Sequence, residues 1–581
     1  MKNTKQFISL ILSLVMMLSL FTACTSTEVP ETSTPVQTQE PTTEPEIRTE
    51  TTAPVTSALI LSAEKDAELQ AASQARRNEI LNTETKIVHS DTFIPGETYT
   101  GTAYYFSCSE GNDNNDGLSP ESPFASLCVL YSLDLQPGDA VFFKRGDMWR
   151  MPGSADPFIW CAEGVTYSAY GDGPKPIFTG SPENGASAEK WELYHEGSNG
   201  EKIWKFYRNL PDTGGLVIND EETVLTRAYG WWTGSEYIDV SFNLTEGVFF
   251  DDFVTYGWEI HSGDTQTPES SLNDLQFCCM IDYTGCDFPI MRYDVCKQGP
   301  LYLRCDEGNP GTVYNSIEFM TKELDVEGGG WWGIINCAAG CVIDNLNVSY
   351  FSDAGICAPF NVCTVENVIV QNCEVAYGGN CIHAFLSAQP TNEQSLSGDG
   401  IYGMAANATV RNNYVHDVDG GAITFETFGE HTDMNYNGGH YVAQSNLVER
   451  CGAGVQLNDG NNMWQFEEIT ISDNILLDIG GGWTHNCFCG AASIAVGSWG
   501  VINMGQVNIS DNIMNGSTMY LLDCWTYNET FRLNNNTLIQ TPGGAFLCFP
   551  GHGWQIIKDI EKTSSILSEI GESSPAVYFA N

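Results

Sequence analysis

The sequence predicts an all-β chain whose larger part is a parallel β-helix, a single-stranded solenoid. Short phrases of one pattern recur from about residue 341: CVIDNLNV, CTVENVIV, ATVRNNYV, YVAQSNLV, ITISDNIL, VNISDNIM and FRLNNNTL. Most are followed by a glycine turn and a second short strand, such as GGAITFE, at a spacing of about 20 to 30 residues. Asn and Gly suit the corners because both tolerate the left-handed backbone region. The alternative, a β-sandwich, would need two-residue hairpin turns that these corners do not match.

The N-terminus indicates export. Lys2 and Lys5 precede the apolar run of residues 7–21, which is too short to span a membrane comfortably and is typical of a signal peptide. The run leads into FTAC, with Cys24 last, and this resembles the lipobox of bacterial lipoproteins. The resemblance implies removal of residues 1–23, lipid attachment at Cys24, and an extracellular protein anchored to the bacterial cell membrane. Ordinary signal cleavage beside a chance cysteine is the alternative.

Changes in composition divide the rest of the chain. Residues 24–57 are rich in Thr, Pro and Glu, a composition with too little apolar surface to fold, and we expect a disordered tether. Residues 58–100 have a helical pattern that predicts a stalk or a cap. The β-helix domain is expected over residues 101–581, with an irregular insertion at about 228–330, where YGWWTG and FFDDF depart from the coil pattern. A final helix and strand should cover its C-terminal end, because an open sheet edge recruits other chains.

Charge and cysteine content exclude several kinds of partner. The net charge is −49, from 74 acidic and 25 basic residues. Nucleic acids and other anionic polymers need clusters of Lys and Arg, so we exclude both. The 20 cysteines are scattered, which predicts buried small side chains, with one or two disulfides as an alternative. The closest approach to a metal motif, HNCFC at residues 485–489, has no partner motif, so no metal site is predicted there. We expect a monomer.

The first coils of the predicted domain carry a family resemblance. Tyr104 to Arg150, YYFSCSEGNDNNDGLSPESPFASLCVLYSLDLQPGDAVFFKRGDMWR, gives a strand, a GNDNNDG turn, a capping helix and a PGDAVFFKRGD strand. It resembles the right-handed parallel β-helix proteins of the pectate-lyase-like superfamily, which implies a right-handed helix with an N-terminal capping helix. The reaction stays open, because that superfamily holds lyases, hydrolases, epimerases and binding proteins. In the turn, Asp113, Asn115 and Asp116 are potential Ca²⁺ ligands, with a plain turn as the alternative.

Cations are scarce where a lyase would need them. Lyases of this superfamily typically use Arg or Lys as the base, and they need cations to neutralise the carboxylate of the substrate. Between Glu323 and Ile557 the chain has no lysine, and its arginines there are Arg411, Arg450 and Arg532. This scarcity disfavours a lyase, although Ca²⁺ could supply part of the missing charge.

Carboxylates and aromatic residues are plentiful in the same region, which favours a glycoside hydrolase. Such enzymes use two carboxylates, one that donates a proton and one that acts as nucleophile or base. Aromatic rings stack on the C–H faces of sugars. The residues that we expect to contact sugar are Tyr402, Trp483, Trp525, His383 and Glu374, the last being a charge at a strand position that is apolar in the sister coils.

Alignment of the strand centres selects the candidate catalytic pair. Ile356, Ile401 and Ile423 fall in register and should face inward. Asp399 and Asp419 lie two to four residues before their strand centres and are expected to share one corner on successive coils, about 4.8 Å apart. Carboxylates that crowd each other raise one another's pKa, which keeps one of them protonated near neutral pH. Capping of turns is the alternative role for each residue.

Glu426 is the second candidate, because it faces outward from the same sheet but lies about 15 Å from the level of Asp399 along the strand. We therefore expect a cell-surface glycoside hydrolase for a neutral or weakly charged glycan, with no required cofactor. A Ca²⁺-dependent polysaccharide lyase is the second hypothesis, which a Ca²⁺ site beside a lone arginine would favour. A non-catalytic glycan-binding or adhesion lipoprotein is the third, which an aromatic groove without paired carboxylates would favour.

Overall fold

The structure is a computed structural model of the chain, which divides into two units, residues 1–54 and 55–581. The structure describes residues 60–150, 159–211, 213–219, 223–227, 230–232, 237–239, 272, 274–279, 298–321, 333–352, 354–358, 365–379, 399–403, 407–427, 437–459, 465–480, 492–497, 503–524, 530–549, 555–572 and 575–580. The predicted signal peptide, Cys24 and the predicted tether lie outside the described residues.

Forty-one short strands carry about half of the described residues. In chain order the first seventeen are β1 (Val88–His89), β2 (Thr98–Tyr99), β3 (Ala103–Phe106), β4 (Ala140–Lys144), β5 (Met148–Arg150), β6 (Ile159–Trp160), β7 (Thr166–Tyr170), β8 (Ile177–Thr179), β9 (Trp191–Glu196), β10 (Lys202–Phe206), β11 (Gly215–Ile218), β12 (Thr223–Arg227), β13 (Gly230–Trp232), β14 (Tyr237–Asp239), β15 (Gln276–Cys279), β16 (Leu301–Arg304) and β17 (Ile317–Met320). The others are β18 (Gly333–Asn336), β19 (Val342–Asp344), β20 (Asn347–Ser352), β21 (Ala354–Cys357), β22 (Ile369–Gln371), β23 (Glu374–Gly379), β24 (Asp399–Tyr402), β25 (Thr409–Arg411), β26 (Tyr414–Val418), β27 (Gly421–Thr427), β28 (Asn437–Gln444), β29 (Leu447–Glu449), β30 (Ala453–Asp459), β31 (Gln465–Ser472), β32 (Ile475–Ile479), β33 (Ala492–Val496), β34 (Asn503–Ser510), β35 (Ile513–Ser517), β36 (Tyr520–Cys524), β37 (Phe531–Asn534), β38 (Thr537–Gln540), β39 (Ala545–Phe549), β40 (Gln555–Ile557) and β41 (Ala576–Phe579).

Helices are few among the described residues. They are α1 (Ala63–Leu81), α2 (Leu127–Leu130), α3 (Pro310–Val313), α4 (Ile560–Glu569) and a 3₁₀ turn at Ala188–Lys190. Within this described part of the chain, none has the length and apolar character needed to cross a membrane.

Three ten-stranded sheets form the walls of the solenoid. Sheet I has the order β6-β18-β21-β24-β27-β30-β33-β36-β39-β40, sheet II the order β3-β4-β7-β19-β22-β25-β28-β31-β34-β37, and sheet III the order β5-β8-β20-β23-β26-β29-β32-β35-β38-β41. Neighbouring strands are parallel except at the β39–β40 edge. Successive strands along the chain belong to different sheets, so the chain winds through all three in each coil. The predicted right-handed parallel β-helix is therefore confirmed.

Stacked apolar side chains fill the interior in the predicted register. Ile356 pairs with Ile401, Ile401 with Ile423, and Ile423 with Val455. All four side chains are fully buried in one core cluster that runs the length of the solenoid. Most of the cysteines whose side chains are described are buried free thiols, in line with the small-hydrophobe interpretation.

Asparagines turn the corners between sheets II and III. Asn372, Asn412 and Asn535 adopt positive φ angles of 53 to 56° there, a region that Asn tolerates better than most residues. From the Asn412 corner onward, the residue after each positive-φ corner residue is a buried asparagine. Five such asparagines stack as a ladder: Asn413, Asn446, Asn474, Asn512 and Asn536. Each backbone N–H in the ladder donates to the side-chain oxygen of the next asparagine, at 3.0 to 3.1 Å.

The two ends of the described chain cover the solenoid in different ways. Helix α1 starts at Ser62, whose hydroxyl accepts from the N–H of Lys65, and it packs along the outer side of sheet III, where Ile80 contacts Tyr414. Helix α4 belongs to the core cluster through buried residues such as Leu567. Glu572, which follows α4, accepts hydrogen bonds from the last asparagine of the ladder and so closes it.

The insertion begins earlier than predicted. Strands β9 to β12 pair with β15 to β17 in a seven-stranded, mostly antiparallel sheet. Trp191 and Phe319 belong to the separate hydrophobic cluster of this sheet. The insertion therefore begins with β9, before the predicted bounds of about 228–330.

Candidate active site

The outer face of sheet I carries two rows of side chains, one on each side of the inward-facing isoleucine row. The Asp399 row lies two residues before the row of Ile356, Ile401 and Ile423, and the Thr424 row lies one residue after it. The Asp399 row consists of Ala354, Asp399, Gly421, Ala453, Ala492, Tyr520 and Ala545. The Thr424 row consists of Cys357, Tyr402, Thr424, Gln456, Ala495, Asp523 and Cys548.

Asp399 is fixed by the backbone of the next coil. It is 4% exposed, and its Oδ1 accepts a hydrogen bond of 2.6 Å from the N–H of Gly421. A β-carbon on Gly421 would lie 2.6 Å from Thr424 Oγ1, 2.8 Å from Gln456 Oε1 and 3.4 Å from Asp399 Oδ1. Glycine is thus required here because three polar side chains approach its backbone. Thr424 Oγ1 is buried and has no hydrogen-bond partner among the described residues.

Asp419 lies in the corner between β26 and β27. It is 2% exposed, and its N–H donates to the carbonyl of Gly378 at 2.8 Å. The next coil packs closely on it, since a β-carbon on Gly452 would lie 2.1 Å from the Asp419 carbonyl oxygen. Asp399 itself is the first residue of β24, so the two acids do not occupy the same corner position. The structure instead brings the Asp399 carboxylate to Gly421, two residues after Asp419.

The other predicted site residues fall into three groups. Tyr402 is 5% exposed and packs against Ala354 and Cys357, on the same strand as Asp399. Glu426 is described through its backbone, which pairs with Asn458 on the outer edge of sheet I. The predicted sugar contacts His383, Trp483 and Trp525 lie outside the described residues.

Glu374 occupies the predicted strand position, where the next coil has Tyr414. It starts β23 on sheet III, where its Oε1 lies 3.3 Å from His416 Nε2 and its Oε2 accepts from Asn347 Nδ2 at 2.5 Å. The charge is tolerated at this otherwise apolar position because of these partners. The structure therefore does not bring Glu374 to the Asp399 side of the coil.

His416 links Glu374 to an ion pair on the same sheet. Burial lowers the pKa of the imidazole, but hydrogen bonds to Asp417 and Glu374 outweigh burial and raise it. Burial raises the pKa of Asp417, but Arg450 and His416 together lower it to about 2. Arg450 Nε and Nη2 lie 2.8 and 2.7 Å from the two oxygens of Asp417. This network holds neighbouring coils together and lies away from sheet I.

No described strand of sheet I contains a lysine or an arginine. Arg411 lies on sheet II, where it donates twice to Gln371 Oε1, at 2.9 and 2.7 Å. Arg532 is also on sheet II, and it donates to the carbonyl of Phe531. With Arg450 held by Asp417, the three arginines that a lyase would need as a base all lie off the face that carries Asp399.

The GNDNNDG turn uses its polar side chains locally. Asp113 accepts hydrogen bonds from the N–H groups of Ala125 and Ser126 and from the Ser126 hydroxyl, and these bonds lower its pKa although burial opposes them. Asn115 donates to a carbonyl, and Asp116 accepts from the N–H two residues on. The described residues contain no group of three or more His, Cys, Asp or Glu side chains arranged to hold a metal ion.

Three residues of the outer face were not predicted from the sequence: Thr424, Gln456 and Asp523. Each is at most 2% exposed although it faces away from the core. For Asp523 a signal was present, since the phrase YLLDC puts one charge among apolar strand residues. The sequence carries no such signal for Thr424 or Gln456. The two residues are seen to be neighbours only when coils of unequal length are aligned.

Fold and site together define a parallel β-helix protein with a buried polar face, whose described strands carry no lysine or arginine. No protein-family model matches the chain. Over 107 residues the chain is 35% identical to a lacto-N-biosidase of Bifidobacterium longum subsp. longum, a segment that covers 16% of this chain and 6% of that protein. The chain thus matches only a small part of the length of this relative.

Solved structures with a similar course of the chain include the complex of XylC with xylose, at 12% identity and a TM-score of 0.37, covering 77% of this chain and 71% of that one. A second is the lacto-N-biosidase of glycoside hydrolase family GH136 from Eubacterium ramulus, at 13% identity and a TM-score of 0.33, covering 77% and 64%. A third is a rhamnogalacturonan lyase, at 10% identity and a TM-score of 0.30, covering 77% and 75%.

Proposed function

We propose that this chain is a carbohydrate-active protein, and that it is a glycoside hydrolase acting on a neutral or weakly charged glycan. The observation that carries the proposal is the pair of buried carboxylates, Asp399 and Asp419, that flank Gly421 beside a sheet whose strands have no lysine or arginine. The local similarity to a lacto-N-biosidase, whose name denotes action on a glycan, supports it.

The two carboxylates have different surroundings, which suggests different roles. A backbone N–H that donates to a carboxylate stabilises its ionised form. Asp399 receives such a bond from Gly421, so we assign it as the nucleophile or base. Asp419 is then the acid that protonates the leaving oxygen. Thr424 and Gln456, which crowd the same glycine, are suited to bind sugar hydroxyls beside the reacting bond.

The described strands of sheet I carry no lysine or arginine, and this supports a hydrolase over a lyase. A uronate substrate would bring its own carboxylate next to Asp399, and like charges at short range repel in a buried site. A neutral sugar avoids this cost. His383, Trp483 and Trp525 remain proposed sugar contacts, and Glu426 remains the second candidate for the catalytic carboxylate. The extracellular, lipid-anchored location through Cys24 is also part of the proposal.

The test is a screen of the purified protein against a panel of neutral and acidic polysaccharides and oligosaccharides. Reducing-sugar release is followed together with the ultraviolet absorbance of unsaturated uronate products. We expect reducing sugar from neutral glycans and no unsaturated product. NMR of the first anomer released would then distinguish retention from inversion, which need carboxyl separations of about 5–5.5 Å and about 6.5–9.5 Å respectively. Unsaturated product would contradict the proposal in favour of the lyase.

A further inference from the structure

The corner between sheets I and II has the same sequence pattern in the two coils that flank the insertion. The first of these coils has CAEGV at residues 161–165, and the second has CAAGC at residues 337–341. Strands β6 and β18 pair in parallel and end one residue before these turns, so Cys161 and Cys337 occupy equivalent positions in neighbouring coils. The second turn ends on a cysteine, Cys341, where the first ends on a valine. Three cysteines are therefore placed at one corner of the solenoid.

The three thiols interact with one another. The Cys341 thiol forms hydrogen bonds with the thiols of both Cys161 and Cys337. Cys337 and Cys341 are buried in the core cluster of the solenoid, whereas Cys161 is half-buried and packs against that cluster. Beside it, Trp160 is 44% exposed. Of the three sulfur atoms, that of Cys161 is therefore the one that a molecule in solution reaches first.

The thiols differ in how readily they ionise. Hydrogen bonds from Cys161 and Cys337 lower the pKa of Cys341, although burial raises it. Burial and then the bond to Cys341 raise the pKa of Cys161, and the bond to Cys341 and then burial raise that of Cys337. Cys341 is thus the first of the three to become a thiolate, which is the reactive form in disulfide chemistry. Metal binding is the other common role of clustered cysteines, but the described residues include no such group arranged to hold an ion.

The corner lies at a junction where short strands hold the coils together. Strands β6 and β19 are two and three residues long here, whereas β28 and β31 in the middle of the solenoid have eight residues each. Between the two coils the chain leaves the solenoid to form the antiparallel sheet of the insertion. Cys161 and Cys341 are 180 residues apart in the chain. A covalent bond between them would close this long segment into a loop and restrict the unfolded chain.

We propose that Cys161 and Cys341 form a disulfide that joins the coils on the two sides of the insertion. The oxidant is a low-molecular-weight disulfide, such as oxidised glutathione. Cys161 loses its proton and attacks one sulfur of the oxidant, which gives a mixed disulfide and releases one thiol. The Cys341 thiolate then attacks Cys161 Sγ and releases the second thiol. The two electrons and two protons of the cysteine pair end on the two released thiols, and Cys337 stays reduced.

The test uses the purified full-length protein, first reduced and desalted, then incubated with oxidised glutathione under native conditions. Free thiols are blocked with N-ethylmaleimide in denaturant, and peptides made without reductant are sequenced by mass spectrometry. The variants are Cys161→Ser, Cys341→Ser and Cys337→Ser. Cys451→Ser is the matched control, since the Cys451 thiol is buried and donates to two backbone carbonyls, bonds that a serine hydroxyl can also make. Thermal unfolding of each protein is followed with and without reductant.

Oxidised wild type should contain a cross-linked peptide pair with Cys161 and Cys341, and it should unfold about 2 °C or more above the reduced protein. Cys337→Ser and Cys451→Ser should keep the cross-link and the shift, whereas Cys161→Ser and Cys341→Ser should lose both. The comparison of oxidised with reduced wild type needs no substitution, so it decides the matter even if a variant does not fold. No cross-link, a cross-link that pairs Cys337 with Cys341 or Cys161, or equal unfolding temperatures would overturn the inference. None of these results bears on the proposed hydrolase activity.

Discussion

Replacing Asn474 by Ala should destabilise the solenoid strongly, because this residue is the centre of the buried asparagine ladder. Its side-chain oxygen accepts two hydrogen bonds from Asn446, both at 3.0 Å. Its Nδ2 donates to the carbonyl of Ala443 and to Asn512 Oδ1, both at 2.9 Å. Four neutral hydrogen bonds at about 1 kcal/mol each give a loss of about 4 kcal/mol in the free energy of unfolding.

The assay is equilibrium unfolding in urea, followed by circular dichroism and by tryptophan fluorescence so that unfolding of separate coils would be seen as non-coincident curves. The control is Asn508→Ala. Asn508 is half-buried and accepts one hydrogen bond, from Gln506, so a loss below about 1 kcal/mol is expected. If Asn474→Ala lowers the free energy of unfolding no more than Asn508→Ala does, the side-chain hydrogen bonds of the ladder do not stabilise the fold.

Three further predictions concern other parts of the molecule. Because the pKa of His416 is raised in the folded state, its charge stabilises the fold below about pH 6.5, and this contribution is lost as pH rises through the folded pKa. In urea titrations, His416→Asn should therefore lower the free energy of unfolding more near pH 5.5 than near pH 9. An equal loss at both pH values would contradict this. Gly421→Ala would force Thr424 and Gln456 apart, so glycan hydrolysis should fall at least about tenfold while circular dichroism stays unchanged, and full activity would count against the site. Cys24→Ala should release the protein from the membrane fraction into the medium, as followed by fractionation and immunoblotting, and continued membrane retention would rule out the lipid anchor.

The coil register was predictable because the chain repeats a short apolar strand after a glycine turn. Aligning the apolar centres of these strands puts Ile401 opposite Ile423, as the structure has them. The same alignment put Asp399 near Asp419. The alignment could not predict where each strand begins, because the sequence does not show which residue of a glycine turn is the first to pair with the next coil. In the structure, β24 begins at Asp399 itself.

Residues whose role depends on sideways contact between coils could not be predicted. Thr424 and Gln456 meet above Gly421 only because β27 and β30 are neighbours, 32 residues apart in the chain. The sequence did not show which face of the solenoid carries Glu374, because an outward polar residue has the same sequence pattern on any of the three sheets. The backbone conformation of the preceding turn decides whether a strand belongs to sheet I or to sheet III, and the sequence does not show that conformation.

The central claim, that Asp399 and Asp419 perform acid–base chemistry, is tested most directly by the kcat/KM of Asp399→Asn and Asp419→Asn on the best glycan of the panel. Asp511→Asn makes the same chemical change at an exposed coil corner with a positive φ angle and serves as the control. We expect a loss of about a hundredfold or more for each of the two site variants and wild-type activity for Asp511→Asn. If Asp399→Asn and Asp419→Asn keep the wild-type kcat/KM, as Asp511→Asn is expected to do, these two residues do not perform the acid–base chemistry.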